Sequence, residues 1–280
     1  MCDPRMSDTA CEHGAAAHDG SESGAGTVPE AARAWLLIEH DGPWPAEAVD
    51  ADLPAPLRDL AALADKRGIR VQLIRRAGQR RVRGGKRGVR DGNGDPAVFA
   101  GWTAGSSPWL RRGGIGDAGV LGARLEGLAE GIVPDFGTPA ADPLFLVCTH
   151  GRRDVCCARY GGPLARALAA RYPGQVWETT HVGGHRYAAN LVLLPHGLYY
   201  GPVDEEAAVA AITAYQRGEA VTGRYRGRAG QPRSAQFAGC ARLCQAGRLP
   251  IDGLTLGVLL RAVWCGIPRD YHAESRREIT

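Results

Sequence analysis

Apolar residues fall in short continuous runs separated by turn residues, and stretches of helical period lie between some of them. AWLLIEH (Ala34–His40) reads as a short apolar strand closed by the turn DGPWP. Pro54 to Lys66 carries Leu57, Leu60 and Leu63 at helical spacing, and Gly68 stops it. IRVQLIRR (Ile69–Arg76) follows as a second strand and AVFAGW (Ala97–Trp102) as a third. Strand, helix, strand predicts a βαβ unit on a parallel sheet. Residues 113–137 are Gly-rich and show no clear period. PLFLVC (Pro143–Cys148) is an unbroken apolar run, as in strands buried on both faces. After the loop THGRRDVCCARYGG, Pro163 suits the first turn of a helix through Leu164 and Leu168 to Tyr172. QVWETT (Gln175–Thr180) is a strand, HVGGH (His181–His185) a tight turn, and Ala189–Val203 a hairpin. Asp204 is placed to cap a helix reaching Tyr215, with Glu205 and Glu206 in its first turn.

These elements predict an α/β protein in four segments. Residues 1–30 form a loose arm without apolar period, and 31–137 an N-terminal α/β domain. Residues 141–220, in the order β-α-β-β-β-α, form a thioredoxin-like domain. Residues 221–280 form a basic segment and a helical tail, with helices near Ser234–Gln245 and Leu254–Trp264 and no strand. The N-terminal domain shares the β-α-β start, so it reads as a second thioredoxin-like unit packed on the first.

The 280 residues are 44% apolar and 23% charged, a globular balance that excludes wholesale disorder and coiled coil. No stretch reaches the roughly 18 apolar residues of a membrane span. The first twenty residues lack the apolar core of a secretory signal. A soluble cytoplasmic protein is the expectation. Of the net charge of +4, eight basic residues lie between Arg75 and Arg90, with no acidic residue among them. The remainder holds 26 basic against 30 acidic residues. No aromatic side chain interleaves the basic segment, so nucleic acid is not an expected partner. It reads as a solvated loop or a docking patch for an acidic protein.

Eight cysteines in a chain without a secretory signal point to metal or redox chemistry rather than a disulfide scaffold. Cys148 ends a buried strand and Cys157 follows nine residues later; His181 ends the next strand and His185 follows at i+4. Loops after parallel strands emerge on one edge of a sheet, so the two loops should face each other. Gly183 and Gly184 would let the turn wrap closely around something bulky. Two thiolates and two imidazoles can hold tetrahedral zinc, or an iron–sulfur cluster in which two His replace two Cys. Around this set, Cys156 is a spare ligand, half of a redox disulfide or a packing residue. His150 is a hydrogen-bond donor to the centre or a surface residue. Arg152, Arg153 and Arg186 offset its charge, meet an acidic redox partner or are simply solvated, while Trp177 and Tyr187 pack nearby. Cys240, Cys244 and Cys265 read as buried free thiols, with a second metal site as the alternative.

CTHGRRDVCCARYGGPLARAL followed by VWETTHVGGHRYAANLVLLPHGLYYGPV resembles the signature of the sucrase/ferredoxin-like family, the bis-histidine branch of the thioredoxin-like 2Fe–2S ferredoxins. The resemblance is strong from Ala141 to about Tyr215 and weaker upstream, where Trp35–Pro45 and Cys11 resemble the family's opening segment. It implies a 2Fe–2S cluster held by Cys148, Cys157, His181 and His185, in an electron carrier or redox sensor served by a redox partner protein. It implies no glycosidase, and no carboxylate pair in a glycosidase context is present. Two neutral imidazoles in place of thiolates should raise the potential above the roughly −400 mV of plant-type ferredoxins and couple reduction to proton uptake. Two other classes remain: a thiol oxidoreductase using the vicinal Cys156 and Cys157, against which the absence of C-x-x-C counts, and a zinc-stabilised interaction module.

Overall fold

The computed structural model describes residues 23–78 and 95–254. β1 (Ala34–Glu39) is buried along its whole length, and α1 (Ala55–Lys66) returns the chain to β2 (Arg70–Arg76), parallel to β1. The buried stripe of α1 is Leu57, Leu60, Ala61 and Ala64; Leu63, one of the residues marking its period, faces solvent. β3 (Val98–Trp102) pairs antiparallel with β1, β4 (Trp109–Gly113) with β3, and the two-residue β5 (Thr138–Pro139) with β4. The segment without a readable period holds α2 (Ala118–Gly122) and α3 (Leu125–Ala129), each too short to display one.

The second half repeats this arrangement. β6 (Leu144–Cys148) is joined by α4 (Val155–Arg171) to β7 (Val176–Thr179), parallel to β6. β8 (Leu191–Leu194) pairs antiparallel with β6, and β9 (Leu198–Tyr200) with β8. α5 (Glu205–Tyr215) follows, capped as expected by Asp204, whose carboxylate accepts from the Ala207 N–H at 2.8 Å.

β2 and β7 pair antiparallel, Ile74 opposite Thr179, and fuse the halves into one sheet. With β11 (Tyr225–Arg228), its ten strands run β11-β9-β8-β6-β7-β2-β1-β3-β4-β5. β10 (Glu219–Val221) and β12 (Arg248–Pro250) form a small separate ribbon. Because side chains alternate across a strand, each central strand supplies two cores. Leu36, Ile38 and Leu73 meet α1–α3, while Phe145, Val147 and Leu193 meet α4 and α5. On the opposite face, Trp35, Leu37, Ile74, Leu146, Trp177 and Tyr199 join one core drawn from both halves. At the seam, Arg75 Nε and Nη2 donate to Glu178 Oε2 at 2.8 and 2.6 Å, and the Thr149 hydroxyl donates to the same oxygen at 2.9 Å.

Three expectations need correction. The helix expected from Pro163 begins at Val155, because Asp154 caps it by accepting from the Cys156 N–H at 2.8 Å. Pro163 lies inside it and has no N–H to donate to the Arg159 carbonyl. Gly161 lets the helix approach β6, since a Cβ there would stand 2.0 Å from the Cys148 carbonyl oxygen. The tail contains a strand: YRGR of β11 is wholly buried at the sheet edge despite its polar sequence. Its Arg228 donates to the carbonyl oxygens of Thr103 (2.7 and 3.1 Å) and Gly105 (2.9 Å), reaching across the curl of the sheet to the loop after β3. The arm expected through residue 30 packs from Ser23 onward, with Val28 buried and its backbone N–H and C=O both bonded to the Gln236 side chain (3.1 and 3.0 Å). The expected helix Ser234–Gln245 is α6 (Arg233–Ala246); the one expected at Leu254–Trp264 lies, beyond Leu254, outside the described residues.

Candidate metal centre

Cys148 and His181 reach one edge of the sheet because β6 and β7 run parallel, Cys148 opposite Thr179. The first turn of α4 brings Cys157 to the same edge. The ligand atoms of Cys148, Cys157 and His181 lie within 4.8 Å of one another, with Cys157 Sγ 3.8 Å from His181 Nδ1. Both cysteines are buried and His181 is half-buried. His185 stands beside this trio on a short 3₁₀ turn (His185–Tyr187). Its ring centroid is 6.2 Å from that of His181, and its Nε2 lies 3.9 Å from Asp154 Oδ2. The structure thus brings three of the four expected ligands together and leaves the fourth alongside, turned towards Asp154.

The hydrogen bond from Cys157 holds Cys148 well below the usual thiol range in spite of its burial, helped by His181 and the His150 backbone. The same contact, then burial, pushes Cys157 up. A thiolate is the form that binds metal, so Cys148 is prepared for that role.

His150 is buried and positions His181 rather than lying on the surface. Its Nδ1 accepts from the His181 backbone N–H at 3.2 Å, and its Nε2 meets the Pro45 carbonyl oxygen at 2.8 Å. This pattern requires the neutral ring with Nε2 protonated, and burial pulls the pKa of His150 down accordingly. Trp44 packs edge-on to the ring, and Arg70 donates to the His181 carbonyl at 3.1 Å. The N-terminal half therefore helps to build the site.

Gly183 and Gly184 have φ of +98° and +70°, and a Cβ on Gly184 would stand 2.2 Å from Arg226 Nη2. The Asn190 amide donates to the Gly184 carbonyl at 2.9 Å. Gly184 thus lets the turn close against the protein's own guanidinium. Asn190 and Arg226 escaped the sequence reading. A signal existed for the first, since Asn190 is a polar residue inside the apolar run ANLVLL; Arg226 is camouflaged in a basic tail. A groove of about 450 Å³, lined in part by Glu47, Arg70, His150 and Arg153, opens on His181. Arg153 forms an ion pair with Glu47, and Arg152 and Arg186 are exposed.

The remaining candidates lie elsewhere or act structurally. Cys156 is buried on α4 outside the trio, Trp177 packs beneath Arg76, and Tyr187 beneath Arg226. Cys240 is a free thiol pushed up to about 12 by burial, whereas Cys244 is disulfide-bonded rather than free. They form no second metal group among the described residues. Of the basic segment, Arg75 is committed to Glu178 and stacks on Trp44, while residues 79–94 lie outside the described residues, as do Cys2, Cys11 and Cys265.

A family model described as sucrase/ferredoxin-like matches residues 25–227. Altered inheritance of mitochondria protein 32 from Meyerozyma guilliermondii is 34% identical over 97 residues, 31% of this chain and 34% of that protein. The match thus spans about a third of the relative's length. No solved structure matches. No helix among the described residues is long and apolar enough to cross a membrane. The family match spans the sheet and the Cys148–His181 site together, and the chain belongs to the sucrase/ferredoxin-like family.

Proposed function

We propose that the protein holds one 2Fe–2S cluster through Cys148, Cys157, His181 and His185 and acts as a one-electron carrier or redox sensor. The observation that carries this reading is the convergence of two buried thiols and a half-buried imidazole at one sheet edge, their ligand atoms within 4.8 Å. The donor set fits such a group: sulfur on the protein side and imidazole on the solvent side, with His185 on the adjoining turn, its ring 6.2 Å from that of His181, as the fourth ligand of this reading. When bound, the cluster would supply reversible one-electron chemistry at the protein surface. The chain's own residues orient and insulate it. His150 and Arg70 fix the His181 backbone, burial keeps water from the two sulfurs, and His185 faces solvent beside Asp154. The strand order β7-β6-β8-β9 with its crossover helix supports a thioredoxin-like reading of this half. Arg152 in the cluster loop and Arg186 next to His185, both exposed, suit an acidic redox partner.

A second reading, a single tetrahedral zinc, is favoured by the compactness of the trio. Thiol exchange through Cys156 and Cys157 draws less support, because both are buried and an exchanging thiol must be reachable. An optical redox titration of anaerobically purified protein with dithionite tests the proposal. Reversible bleaching by about one electron per chain, absent in Cys148→Ser and His181→Ala, is expected. Protein without visible absorption would contradict it.

A further inference from the structure

Arg226 of β11 is fully buried, yet every group that accepts from its guanidinium among the described residues is uncharged. Nε and Nη2 donate to the Thr27 hydroxyl at 3.1 and 2.9 Å, Nη2 to the Thr27 carbonyl at 3.0 Å, and Nη1 to the Asn190 side-chain oxygen at 2.5 Å. The guanidinium lies over the Tyr187 ring at 4.7 Å and near that of Tyr199 at 5.8 Å. No carboxylate lies within ion-pair distance of it among the described residues. Burial lowers its pKa only to about 10, so it stays cationic at neutral pH. A buried cation without a counter-anion is destabilising unless something nearby supplies negative charge.

Its position identifies that charge. Arg226 lies directly behind the His181–His185 turn, against Gly184, and Asn190 bridges the two by accepting from Arg226 and donating to the Gly184 carbonyl. Cys148, the lowered thiol of the centre, contributes to the field that Arg226 feels. We infer that Arg226 is a positioning residue and the built-in counter-charge of the centre, a fixed cation that favours the state carrying one additional electron. This rests on the 2Fe–2S reading. With two thiolates and two neutral imidazoles, the oxidised cluster and its ligands are neutral overall. Uptake of one electron from a reductant such as dithionite leaves them singly negative, and Arg226 stabilises that form alone.

The test is the midpoint potential of the intact protein as wild type, Arg226→Lys and Arg226→Gln, each with its iron and sulfide content measured. The inference expects wild-type cluster content in both variants, a lowered midpoint in R226Q, and a midpoint near wild type in R226K. R226Q with full cluster content and an unchanged midpoint would overturn it. So would R226K falling as far as R226Q, because hydrogen-bond geometry rather than charge would then be responsible. If R226Q loses its cluster, R226K decides: an unchanged midpoint supports the counter-charge and a lowered one refutes it. Wild-type protein without sulfide would instead refute the 2Fe–2S reading, and this inference with it.

Discussion

The two halves of the sheet place the same backbone positions in different chemical service. The His40 N–H donates to the Ile74 carbonyl (2.8 Å) as Thr149 does to Thr179 (3.2 Å), and Glu39 donates to Ala97 (2.9 Å) as Cys148 does to Asn190 (3.1 Å). Glu39 therefore stands where Cys148 stands, and Arg76, two residues past Ile74, where His181 stands. Glu39 Oε1 lies 3.9 Å from Arg76 Nε, and its other oxygen accepts from the Ala97 N–H at 2.9 Å. A carboxylate and a guanidinium form a loose ion pair. A thiolate and an imidazole at the same places keep lone pairs for a metal. The strand ends bring two side chains together in each half, and residue chemistry decides whether the result is a brace or a ligand site.

The strongest way to break this comparison is to mutate matched positions. Cys148→Ser and Cys157→Ser should abolish metal binding, measured as metal per chain. Glu39→Gln should leave metal content unchanged and lower stability by about 1–3 kcal/mol in denaturant titration, since a buried ionic contact is weakened. Metal loss on changing Glu39 would mean that the halves are not independent in this respect.

Two glycines of nearly equal φ in the two halves sharpen it next. Gly184→Ala combines the strain of φ +70° with a clash against Arg226, so both metal binding and stability should drop. Gly68→Ala, at φ +69° with open space around its Cβ, should cost only the strain, about 1–2 kcal/mol, and leave metal content intact. Equal costs would show that the Arg226 contact is unimportant. At the seam, Glu178→Gln weakens the contact to Arg75 and should destabilise both halves together, by about 1–3 kcal/mol in one cooperative transition. Two separate transitions would show that the halves fold independently.

The smallest effect concerns pH. His196 accepts or donates at Nδ1 with the Tyr215 hydroxyl at 2.7 Å, and burial lowers its pKa from the usual 6.5 to about 4. The folded state therefore disfavours its charged form. The stability it contributes is complete above pH 6.5 and declines as pH falls towards 4, because the unfolded chain takes up the proton first. His196→Gln should flatten stability over that interval; an unchanged slope would refute the assignment.

Much of the fold was legible because the central strands are unbroken apolar runs and the turns carry Gly, Pro or capping Asp. β11 was not, since its burial depends on arginines satisfied by carbonyls on distant loops, which no local pattern records. The start of α4 is obscured in the sequence because Pro163 carries the stronger helix-start preference, whereas Asp154 is the residue that caps it. In the site, spacing pointed to Cys148, Cys157, His181 and His185; parallel strands and the first turn of α4 bring the first three to one edge, while His185 stands alongside. The roles of His150 and Arg226 depend on contacts 31 and 199 residues apart in the chain, with His181 and Thr27, and only the folded structure expresses them.

Iron, zinc and acid-labile sulfide, quantified in wild-type protein purified without oxygen, test the central claim most directly. The account predicts about two irons and two sulfides per chain, both lost with His181→Ala. One zinc per chain with no sulfide would contradict it and make the centre structural.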